Sequence, residues 1–450
     1  MNVEVRPSDA SYAEQSRTAP LSLPPDKSIF HRLLIIGALT RSKLTIPITL
    51  IEDIPVDVYA TILALQSLGV PIELSRSMIE LEGVGMEGFH APTHQINCSN
   101  SGTTARLFMG LLAGQSFSSR LTGDESLSKR PMKRLAEILN SGLGAKIETS
   151  EKGTLPVLIE GRELHGATVD LPVASAQMKS AVLLAGLYSK DVVRIREPLQ
   201  SRDHSELMLM SFGADIEIEA DHAIRITANG VVPLQNITYN IPGDISSAAF
   251  LIGAAILGRR NITLKNVGLN PTRIRFLEIL KGSGLEVEIS QVKEEWNEKK
   301  GTVEIFGAES HLSKPLAISA ADIPLIIDEI PILAVLASFC PGQTEISRAK
   351  ELRAKESDRL SALATNLRSF GAIVEEKEDG LTIFGDDTFI PHGGSIEHFG
   401  DHRIAMAFVI MALRARERVT ISDASVVSIS YPNFFRDLSL VVGKNRIHIA

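Results

Sequence analysis

Residues 350–360 combine acids and bases at a spacing that suits proton transfer beside a bound anion. Seven of the eleven are charged in the run Lys350-Glu351-Leu352-Arg353-Ala354-Lys355-Glu356-Ser357-Asp358-Arg359-Leu360. Apolar residues then recur at helical spacing, which places this run at a helix N-terminus, at Leu360, Leu363, Leu367 and Phe370. A helix N-terminus attracts anions, and Glu356 and Arg359 share one face because they are three residues apart. Standing alone, such a run is more typical of a solvated surface ion pair.

Six other polar segments each precede an apolar run that is long enough for a helix. They are Lys27-Ser28 before 33–39, Asn100 to Thr103 before 105–113, Ser175 to Gln177 before 180–187, Gly243 to Ser247 before 248–257, Asp328-Glu329 before 331–339 and Asp401 to Arg403 before 404–413. They recur at intervals of 69 to 84 residues, well above the usual period of a solenoid. Because these runs are hydrophobic nearly all round, each helix requires burial on every side. We therefore expect two domains, each with three repeats around three buried helices, rather than a solenoid.

Shorter patterns complete the repeat. β-like runs follow the apolar helices at 43–46, 192–195, 261–264 and 419–421. Amphipathic second helices are predicted at 131–142, 205–213 and 359–371, with strands after them at 146–148, 215–218 and 373–375. Glycines stand where a helix C-terminus favours a left-handed residue, at 69, 142, 213, 284 and 371. The sequence thus predicts an α/β fold of six βαβαββ-type repeats.

The predicted domains are discontinuous in sequence. Residues 24–242 form an N-terminal-type domain of three repeats, while residues 1–23 and 243–450 form a C-terminal-type domain that includes an N-terminal strand. The crossovers are expected at 21–25 and 241–243. Since every buried helix begins at a polar segment, six helix N-termini would supply an active site in the cleft where the two domains face each other.

Composition narrows the class of protein. The chain has 450 residues, of which 44% are hydrophobic and 22% charged, as in a soluble globular protein. A net charge of −8 argues against a nucleic-acid binder. Two cysteines, Cys98 and Cys340, form no disulfide framework, and the longest apolar runs are too short to span a bilayer. Without a signal pattern at the N-terminus, we expect a cytoplasmic protein.

The polar segments together hold the groups that two polyanionic substrates require. Cations are supplied by Lys27, Arg32, Arg106, Lys129, Arg130, Arg202, Lys355, Arg359 and Arg403. Carboxylates are supplied by Asp328, Glu329 and Glu356, and hydroxyl or amide groups by Ser28, Asn100, Thr103, Ser175 and Gln177. There is no metal-ligand spacing, no phosphate-binding loop and no dinucleotide fingerprint, so neither a metal nor a cofactor is expected.

These segments resemble the 5-enolpyruvylshikimate-3-phosphate synthase family, a group of enolpyruvyl transferases. The resemblance covers about residues 21 to 436, and its motifs occur in family order. They are Asp26-Lys27-Ser28-Ile29 with His31-Arg32, Asn100 to Arg106, Leu121 to Asp124 with Lys129-Arg130-Pro131, Ser175 to Gln177, Ser201 to His204, Asn270 to Arg273, Asp328-Glu329, Lys355 to Arg359 and Asp401 to Arg403. One such motif is weak evidence, whereas nine in order are highly specific.

The resemblance implies a fold, a reaction and partners. The fold is a two-domain inside-out α/β barrel. The reaction transfers the enolpyruvyl group of phosphoenolpyruvate to the 5-hydroxyl of shikimate 3-phosphate, by addition and then elimination of phosphate through a tetrahedral intermediate. The partners are these two small molecules, with glyphosate as an inhibitor, and neither nucleic acid nor a membrane. We expect a monomer.

It also implies roles for individual residues. Asp328 corresponds to the base on the 5-hydroxyl, Glu356 to the proton donor to the methylene carbon, and Lys27 to a lysine that touches both substrates and aids departure of phosphate. The phosphoenolpyruvate-binding residues are Lys27, Gly102, Arg130, Gln177, Arg359 and Arg403. The shikimate-3-phosphate-binding residues are Lys27, Ser28, Arg32, Ser175, Ala176, Gln177, Arg202, Asp328 and Lys355.

The chain departs from the family pattern at Pro25, Phe30, Asn97, Ser99 and Ile429. Ile429 replaces a lysine common before the Ser430-Tyr431-Pro432 stretch, which leaves more of the phosphate binding to Lys27 and Arg130. Three alternatives stay open on the sequence: a UDP-N-acetylglucosamine enolpyruvyl transferase, an RNA-end cyclase relative and a non-catalytic binding paralogue. Asp328 alone could also be a helix cap before Pro331.

Overall fold

The computed structural model describes residues 1–6, 19–220, 223–227, 230–231 and 236–449, so residues 7–18 of the predicted N-terminal segment lie outside the described part. These residues form two compact units. The terminal unit, which holds both chain ends, comprises Met1–Pro24, Pro242–Glu294 and Lys299–Ala450. The middle unit comprises Pro25–Ile241 and Glu295–Glu298. The sequence had assigned residues 295–298 to the other domain.

The chain begins in the terminal unit with strands β1 (Val3–Val5) and β2 (Leu21–Ser22) and then builds the middle unit. Helices of the middle unit are α1 (Lys27–Leu39), α2 (Val56–Ser67), α3 (Gly102–Ala113), α4 (Lys133–Leu143), α5 (Ala176–Gly186) and α6 (His204–Ser211). Its strands are β3 (Lys43–Pro47), β4 (Ile72–Leu74), β5 (Met78–Glu82), β6 (Ile96–Asn97), β7 (Ser118–Thr122), β8 (Lys146–Glu148), β9 (Val157–Glu160), β10 (Thr168–Asp170), β11 (Val193–Arg196), β12 (Ile216–Ile218), β13 (Ile224–Ile226) and β14 (Ile237–Thr238).

The strands of the middle unit form three sheets with one shared topology. Their orders are β14-β3-β5-β4, β6-β7-β9-β8 and β10-β11-β13-β12. In each sheet the first two strands are parallel and the others antiparallel, as in the parallel pair β6 and β7 and the antiparallel pair β7 and β9. The crossover between each parallel pair within a repeat is a helix, α3 or α5. The first repeat receives its parallel edge strand, β14, from the far end of the unit.

Helices α1, α3 and α5 lie in the core of the middle unit, as their composition predicts. All residues of α1 from Ile29 to Leu39 are buried, including two polar ones, His31 and Arg32. Helix α4 is amphipathic instead and buries only Leu135, Ala136, Leu139 and Leu143, whereas the predicted amphipathic pattern is not seen in α6. Burial on all sides leaves the polar N-terminus as the part of each core helix that can serve chemistry.

The segment Glu295–Glu298 belongs to the middle unit because its side chains pack there. Trp296 lies against Phe212 and Tyr239, with ring centroids 5.8 Å and 5.9 Å away. Glu298 is buried and pairs with His204 at 2.5 Å. Aromatic packing and a buried pair between residues far apart in sequence leave no local pattern from which this placement could be predicted.

The terminal unit repeats the same plan. Its helices are α7 (Ile245–Gly258), α8 (Arg275–Gly282), α9 (Ile323–Ile326), α10 (Ile330–Ala337), α11 (Arg359–Ser369), α12 (His402–Ala412) and α13 (Phe434–Val442). Its further strands are β15 (Asn261–Gly268), β16 (Val287–Glu295), β17 (Glu298–Phe306), β18 (Gly342–Ile346), β19 (Ile373–Lys377), β20 (Gly380–Gly385), β21 (Gly394–Ser395), β22 (Val419–Ile421) and β23 (Ile447–Ile449). Helices α7, α10 and α12 are its buried helices.

The sheets of the terminal unit are completed from distant parts of the chain. Their orders are β16-β17-β15-β2, β18-β20-β19 and β21-β22-β1-β23. Strand β2 pairs in parallel with β15, and β1 pairs antiparallel with both β22 and β23. Thus β1 occupies the place that β9 and β13 hold in the middle unit. The predicted α/β fold of six repeated units is confirmed in the described residues.

Side-chain caps define where most of the core helices begin. Asp26, Ser101, Ser175, Asp244 and Asp401 each accept a hydrogen bond from a backbone N–H in the first turn of α1, α3, α5, α7 and α12. Such caps satisfy N–H groups that have no intrahelical partner. One predicted helix end is wrong: Gly142 lies inside α4, and Gly144, with φ +71°, supplies the left-handed C-cap instead.

Close helix packing in the middle unit requires glycine at position 110. A Cβ atom at Gly110 of α3 would lie 2.0 Å from the backbone oxygen of Ala181 in α5, so the helices would have to separate. We expect Gly110→Ala to destabilise the fold by about 3 kcal/mol or more. Gly282→Ala, where a Cβ meets nothing within 4 Å, is the control and is expected to stabilise by about 0.5–1 kcal/mol. Thermal denaturation measures both, and an unchanged melting temperature for Gly110→Ala would contradict the packing.

Candidate functional site

The N-terminus of α1 presents Lys27 with a carboxylate partner. The Nζ atom of Lys27 donates to Oδ2 of Asp57, in the first turn of α2, at 2.8 Å, and both side chains are largely buried. Asp57 was not predicted as a partner of Lys27, because no local sequence pattern connects two residues thirty positions apart. Phe30, one of the departures from the family pattern, is fully buried in the core behind this helix N-terminus.

Arg32 bridges three helices of the middle unit. Its guanidinium donates to Oγ of Ser205 on α6 at 2.7 Å, to Oγ of Ser180 on α5 at 2.8 Å and to the carbonyl of Ser28 on α1 at 2.9 Å. Arg32 is buried, and the two hydroxyl groups also contact each other at 2.6 Å. This predicted substrate-binding arginine lies four residues after Ser28 in α1, where its hydrogen bonds tie α1 to α5 and α6.

Gly102, Arg130 and Gln177 come together at the N-termini of α3 and α5. Arg130 donates to Oδ1 of Asn100 at 2.6 Å, and Gln177 accepts from Arg106 at 2.8 Å. A Cβ atom on Gly102 would lie 2.8 Å from one nitrogen of Arg106 and 3.2 Å from one of Arg130. Glycine thus leaves room between Arg106 and Arg130, the second of which the resemblance assigns to phosphoenolpyruvate binding.

Ser175 and Ala176 form the N-terminus of α5. Ser175 is the N-cap, with Oγ accepting from the backbone N–H of Met178 at 3.4 Å, and Ala176 is the first helical residue. Arg202 lies in the segment between β11 and α6 and is partly buried. The predicted residues of this segment therefore share the middle unit with Lys27 and Arg130.

Helix α5 also contributes Lys179 to a buried ion cluster that was not predicted from the sequence. Lys179 is almost fully buried and pairs with Glu197 and Glu206, each at 2.8 Å. Burial opposes the charge of Lys179, but the two carboxylates outweigh it and raise the pKa of Lys179 above its ordinary value. Burial raises the pKa of Glu206, since one ammonium offsets only part of the cost of two buried carboxylates. Glu197 also accepts from the N–H of Ser201, which anchors the segment that carries Arg202.

In the terminal unit, Arg359 gathers the acids of three helix N-termini. Its guanidinium is fully buried and pairs with Asp401 at 2.7 Å, Glu356 at 2.6 Å and Asp328 at 3.3 Å. Burial alone would lower the pKa of Arg359, but the carboxylates of Asp401, Glu356 and Asp328 raise it overall. Glu356 and Arg359 are in direct contact, although Glu356 lies in the connection before α11 rather than on a shared helix face.

Asp328 lies between two arginines. Besides its contact with Arg359, its Oδ2 atom lies 3.4 Å from a nitrogen of Arg403, and its backbone carbonyl accepts from Arg403 at 2.9 Å. Asp328 precedes α10 without capping it, because the N-cap position is Glu329. The alternative that Asp328 is merely a helix cap is therefore wrong.

Lys355 and Glu356 lie in a short connection. The 3₁₀ turn Lys350–Ala354 precedes it and α11 follows, with Asp358 as the N-cap. Both residues are partly buried. The terminal unit thus brings together Asp328, Glu356, Arg359 and Arg403, with Lys355 adjacent in sequence.

A second buried arginine joins α7 to α10 in the same unit. Arg273 is buried and donates to Oγ of Ser246 at 2.8 Å, while Ser246 donates to Glu329. This explains the Asn270 to Arg273 motif as a structural element. No group of three or more His, Cys, Asp or Glu residues among the described positions is arranged to hold a metal ion. No helix in the described part is both long and apolar enough to cross a bilayer.

Each unit therefore carries a cluster of cations and hydrogen-bond donors at helix N-termini, and the cluster of the terminal unit also carries the two candidate catalytic acids, Asp328 and Glu356. This set of groups suits an enzyme that transfers a group between polyanionic metabolites. Comparison with known proteins identifies the family. The family model of EPSP synthase (3-phosphoshikimate 1-carboxyvinyltransferase) matches residues 13–438.

Individual relatives agree over nearly the whole chain. A 3-phosphoshikimate 1-carboxyvinyltransferase of Desulforamulus reducens is 42% identical over 94% of this chain and 96% of its own length. Another from Acidithiobacillus ferrooxidans is 43% identical over 92% of each chain. A solved EPSP synthase of Acinetobacter baumannii has a TM-score of 0.81 at 38% identity and covers 100% of this chain and 99% of its own. The chain belongs to the EPSP synthase family, and the resemblance predicted from its motifs is confirmed.

A more distant structure shares the fold alone. The enolpyruvyl transferase NikO of Streptomyces tendae has a TM-score of 0.73 at 15% identity and covers 98% of this chain and 97% of its own. The repeated α/β plan is therefore compatible with sequences that have diverged widely.

Removing the cation of the buried Lys179 cluster should destabilise the middle unit. Lys179→Met leaves Glu197 and Glu206 buried without their cation, which we expect to lower the free energy of unfolding by about 3–5 kcal/mol. The variant should become more stable as the pH falls from 8 to 5, because a buried carboxyl with a raised pKa binds more protons in the folded state.

The control is the triple variant Lys179→Met, Glu197→Gln and Glu206→Gln, which removes all three charges and should recover much of the loss. Denaturant midpoints across this pH range measure the effect. A single variant as stable as the wild type at pH 8 would show that the cluster contributes little.

Proposed function

We propose that the chain transfers the enolpyruvyl group of phosphoenolpyruvate to the 5-hydroxyl of shikimate 3-phosphate and releases phosphate. This is the reaction of 3-phosphoshikimate 1-carboxyvinyltransferase, a step of aromatic amino-acid biosynthesis. Membership of the family supports the proposal. The observation that carries it in the structure is the contact of both candidate acids, Asp328 and Glu356, with one buried arginine, Arg359.

The proposed chemistry is addition followed by elimination. Asp328 takes the proton of the 5-hydroxyl as its oxygen attacks the central carbon of phosphoenolpyruvate, and Glu356 protonates the methylene carbon. In the elimination step, the Glu356 carboxylate takes a proton back from that methyl group as the bond to phosphate breaks, and Lys27 protonates the departing phosphate. General acid and base catalysis contributes typically ~10²–10⁴-fold, and electrostatic stabilisation by the cations contributes further.

The proposed binding residues divide by substrate. Phosphoenolpyruvate is bound by Lys27, Gly102, Arg130, Gln177, Arg359 and Arg403. Shikimate 3-phosphate is bound by Lys27, Ser28, Arg32, Ser175, Ala176, Gln177, Arg202, Asp328 and Lys355. Within the protein, Arg32 donates to Ser205, Ser28 and Ser180, so these groups hold its guanidinium in place.

We further propose that the two units are the two domains of the enzyme and that both bind the same pair of substrates. Acids lie in the terminal unit, whereas Lys27 and Arg130 lie in the middle unit, so neither set alone can complete the reaction. The protein is proposed to act as a cytoplasmic monomer without a metal or other cofactor. Glyphosate should inhibit it, because Gly102 leaves space beside Arg106 and Arg130.

The activity is tested by phosphate release from phosphoenolpyruvate. We expect release with shikimate 3-phosphate as acceptor and none with UDP-N-acetylglucosamine. Release only with the sugar nucleotide would assign the other enolpyruvyl transferase activity. Release with neither acceptor would favour a non-catalytic paralogue and contradict the proposal.

The role of Glu356 predicts a specific kinetic pattern. Glu356→Gln keeps an oxygen that can accept from Arg359 but removes the proton that the methylene carbon requires. We expect kcat to fall about 10²–10³-fold. The affinity for shikimate 3-phosphate, measured by calorimetry, should change less than about threefold, since the variant removes no cation.

Glu351→Gln provides the matched control, because it makes the same chemical change in the preceding 3₁₀ turn. It should retain wild-type turnover. Near-normal kcat in Glu356→Gln would refute its role as proton donor.

A further inference from the structure

Arg353 lies in the charged run 350–360 but was assigned no role by the sequence or by the proposed mechanism. Its side chain is among the most extensively hydrogen-bonded in the terminal unit. Resting on the proposed function, we propose that Arg353 is a positioning residue that clamps the segment carrying Lys355 and Glu356.

The first half of the clamp closes the segment on itself. One nitrogen of Arg353 donates to both carboxylate oxygens of Asp358, at 3.0 Å and 2.8 Å. Asp358 also caps α11 by accepting from the N–H of Ser361 at 3.1 Å. The contact joins residues five apart, so it holds both ends of the intervening residues 354–357, and Lys355 and Glu356 lie within that loop.

The second half ties the loop to the hairpin of β19 and β20. Arg353 donates to the carboxylate of Glu376 at 3.0 Å, to the carbonyl of Lys377 at 2.6 Å and to the carbonyl of Glu378 at 2.8 Å. These three acceptors are consecutive in sequence and span the end of β19 and the turn that follows. The hairpin is a regular antiparallel pair, so it offers the loop a rigid support.

The opposite side of the loop faces the candidate site. Glu356 contacts Arg359 at 2.6 Å, and Ser357 donates to Asp401 at 3.2 Å. The loop is therefore held between two arginines, Arg353 and Arg359, which contact different groups. Arg359 contacts the candidate acids themselves, whereas Arg353 contacts Asp358, which caps α11, and the hairpin that supports the loop.

The geometry requires arginine rather than any cation. A guanidinium offers five N–H donors in a fixed plane, and all three nitrogens of Arg353 are used. A lysine has a single nitrogen and cannot reach the Asp358 carboxylate and two separate carbonyls together. The carboxylates of Asp358 and Glu376 outweigh the effect of burial and raise the pKa of Arg353.

A matched control lies on the same turn. Lys350 pairs with Glu378 at 2.6 Å, but both side chains are mostly exposed, at 67% and 82%. Exposed pairs of this kind contribute little to stability. Lys350→Gln removes the same charge from the same 3₁₀ turn without touching the loop ends.

The experiment measures kcat, both KM values and the melting temperature for Arg353→Gln, Arg353→Lys and Lys350→Gln. We expect kcat to fall about 10–100-fold in Arg353→Gln, while the KM for phosphoenolpyruvate changes less than about threefold and the melting temperature by a few degrees. Arg353→Lys should remain near the Gln variant, because charge without the planar fork does not restore the clamp. Lys350→Gln should match the wild type.

Hydrogen exchange of the amides in 354–361 provides a readout that does not depend on activity. These amides should exchange faster in Arg353→Gln than in the wild type, whereas their exchange rates in Lys350→Gln should match the wild type. An inactive wild type with a loosened loop in Arg353→Gln would overturn the proposed function and leave the clamp intact. Unchanged exchange, or kcat within about twofold of the wild type, would overturn the positioning role of Arg353.

Discussion

The terminal unit depends on one buried positive charge. The guanidinium of Arg359 is fully buried, and an arginine cannot escape burial by giving up its proton. It must therefore be surrounded by acids, and these come from segments at the starts of α10, α11 and α12, in Asp328, Glu356 and Asp401. Breaking such a cluster by removing one partner leaves an uncompensated buried charge, which typically costs about 3–5 kcal/mol. The acids that stabilise this buried charge include the two candidate catalytic acids, Asp328 and Glu356, and their contacts with Arg359 hold them in position.

The middle unit also holds its functional segments in place through buried cations, but these cations have different partners. Arg32 is held by serine hydroxyls and a carbonyl, while Lys179 is held by a pair of carboxylates. These two cations connect α1, α5 and α6, the elements that present Ser28, Ser175 and the segment of Arg202. In both units most of the functional groups lie at or next to helix N-termini, and the buried helices among these are held in place by packing on every side. Chemistry is then confined to the N-termini, where the unpaired N–H groups favour anions.

The parts of this architecture that are periodic or local were predictable from sequence. The six helix starts follow from apolar runs and capping residues, and the motifs around Lys27, Asp328 and Arg403 were recognisable in order. The contact of Glu356 with Arg359 was expected, but Glu356 lies before the N-cap of α11, so helical spacing does not account for it. The predicted helix end at Gly142 was wrong by two residues, since Gly144 ends the helix.

Long-range partners were not predictable, because only the folded chain brings them together. Asp57 beside Lys27, Glu197 and Glu206 around Lys179, and Ser205 on Arg32 are separated in sequence by 18 to 173 residues. The same holds for the Glu295–Glu298 segment, whose place in the middle unit depends on Trp296 and Glu298. The role of Arg353 was also not predictable. Its charge is evident from the sequence, but its simultaneous contacts with several acceptors depend on the β19–β20 hairpin, about twenty residues further on.

If the acids gathered around Arg359 are the reacting groups, a crystal structure with shikimate 3-phosphate and an unreactive analogue of phosphoenolpyruvate will show them on the ligands. We expect Asp328 within hydrogen-bond distance of the 5-hydroxyl and Glu356 facing the analogue carbon. Arg359 should still pair with Asp401, and Lys27 should contact the same ligands. Ligands bound away from Asp328 and Glu356, or an Arg359 separated from Asp401, would contradict this expectation.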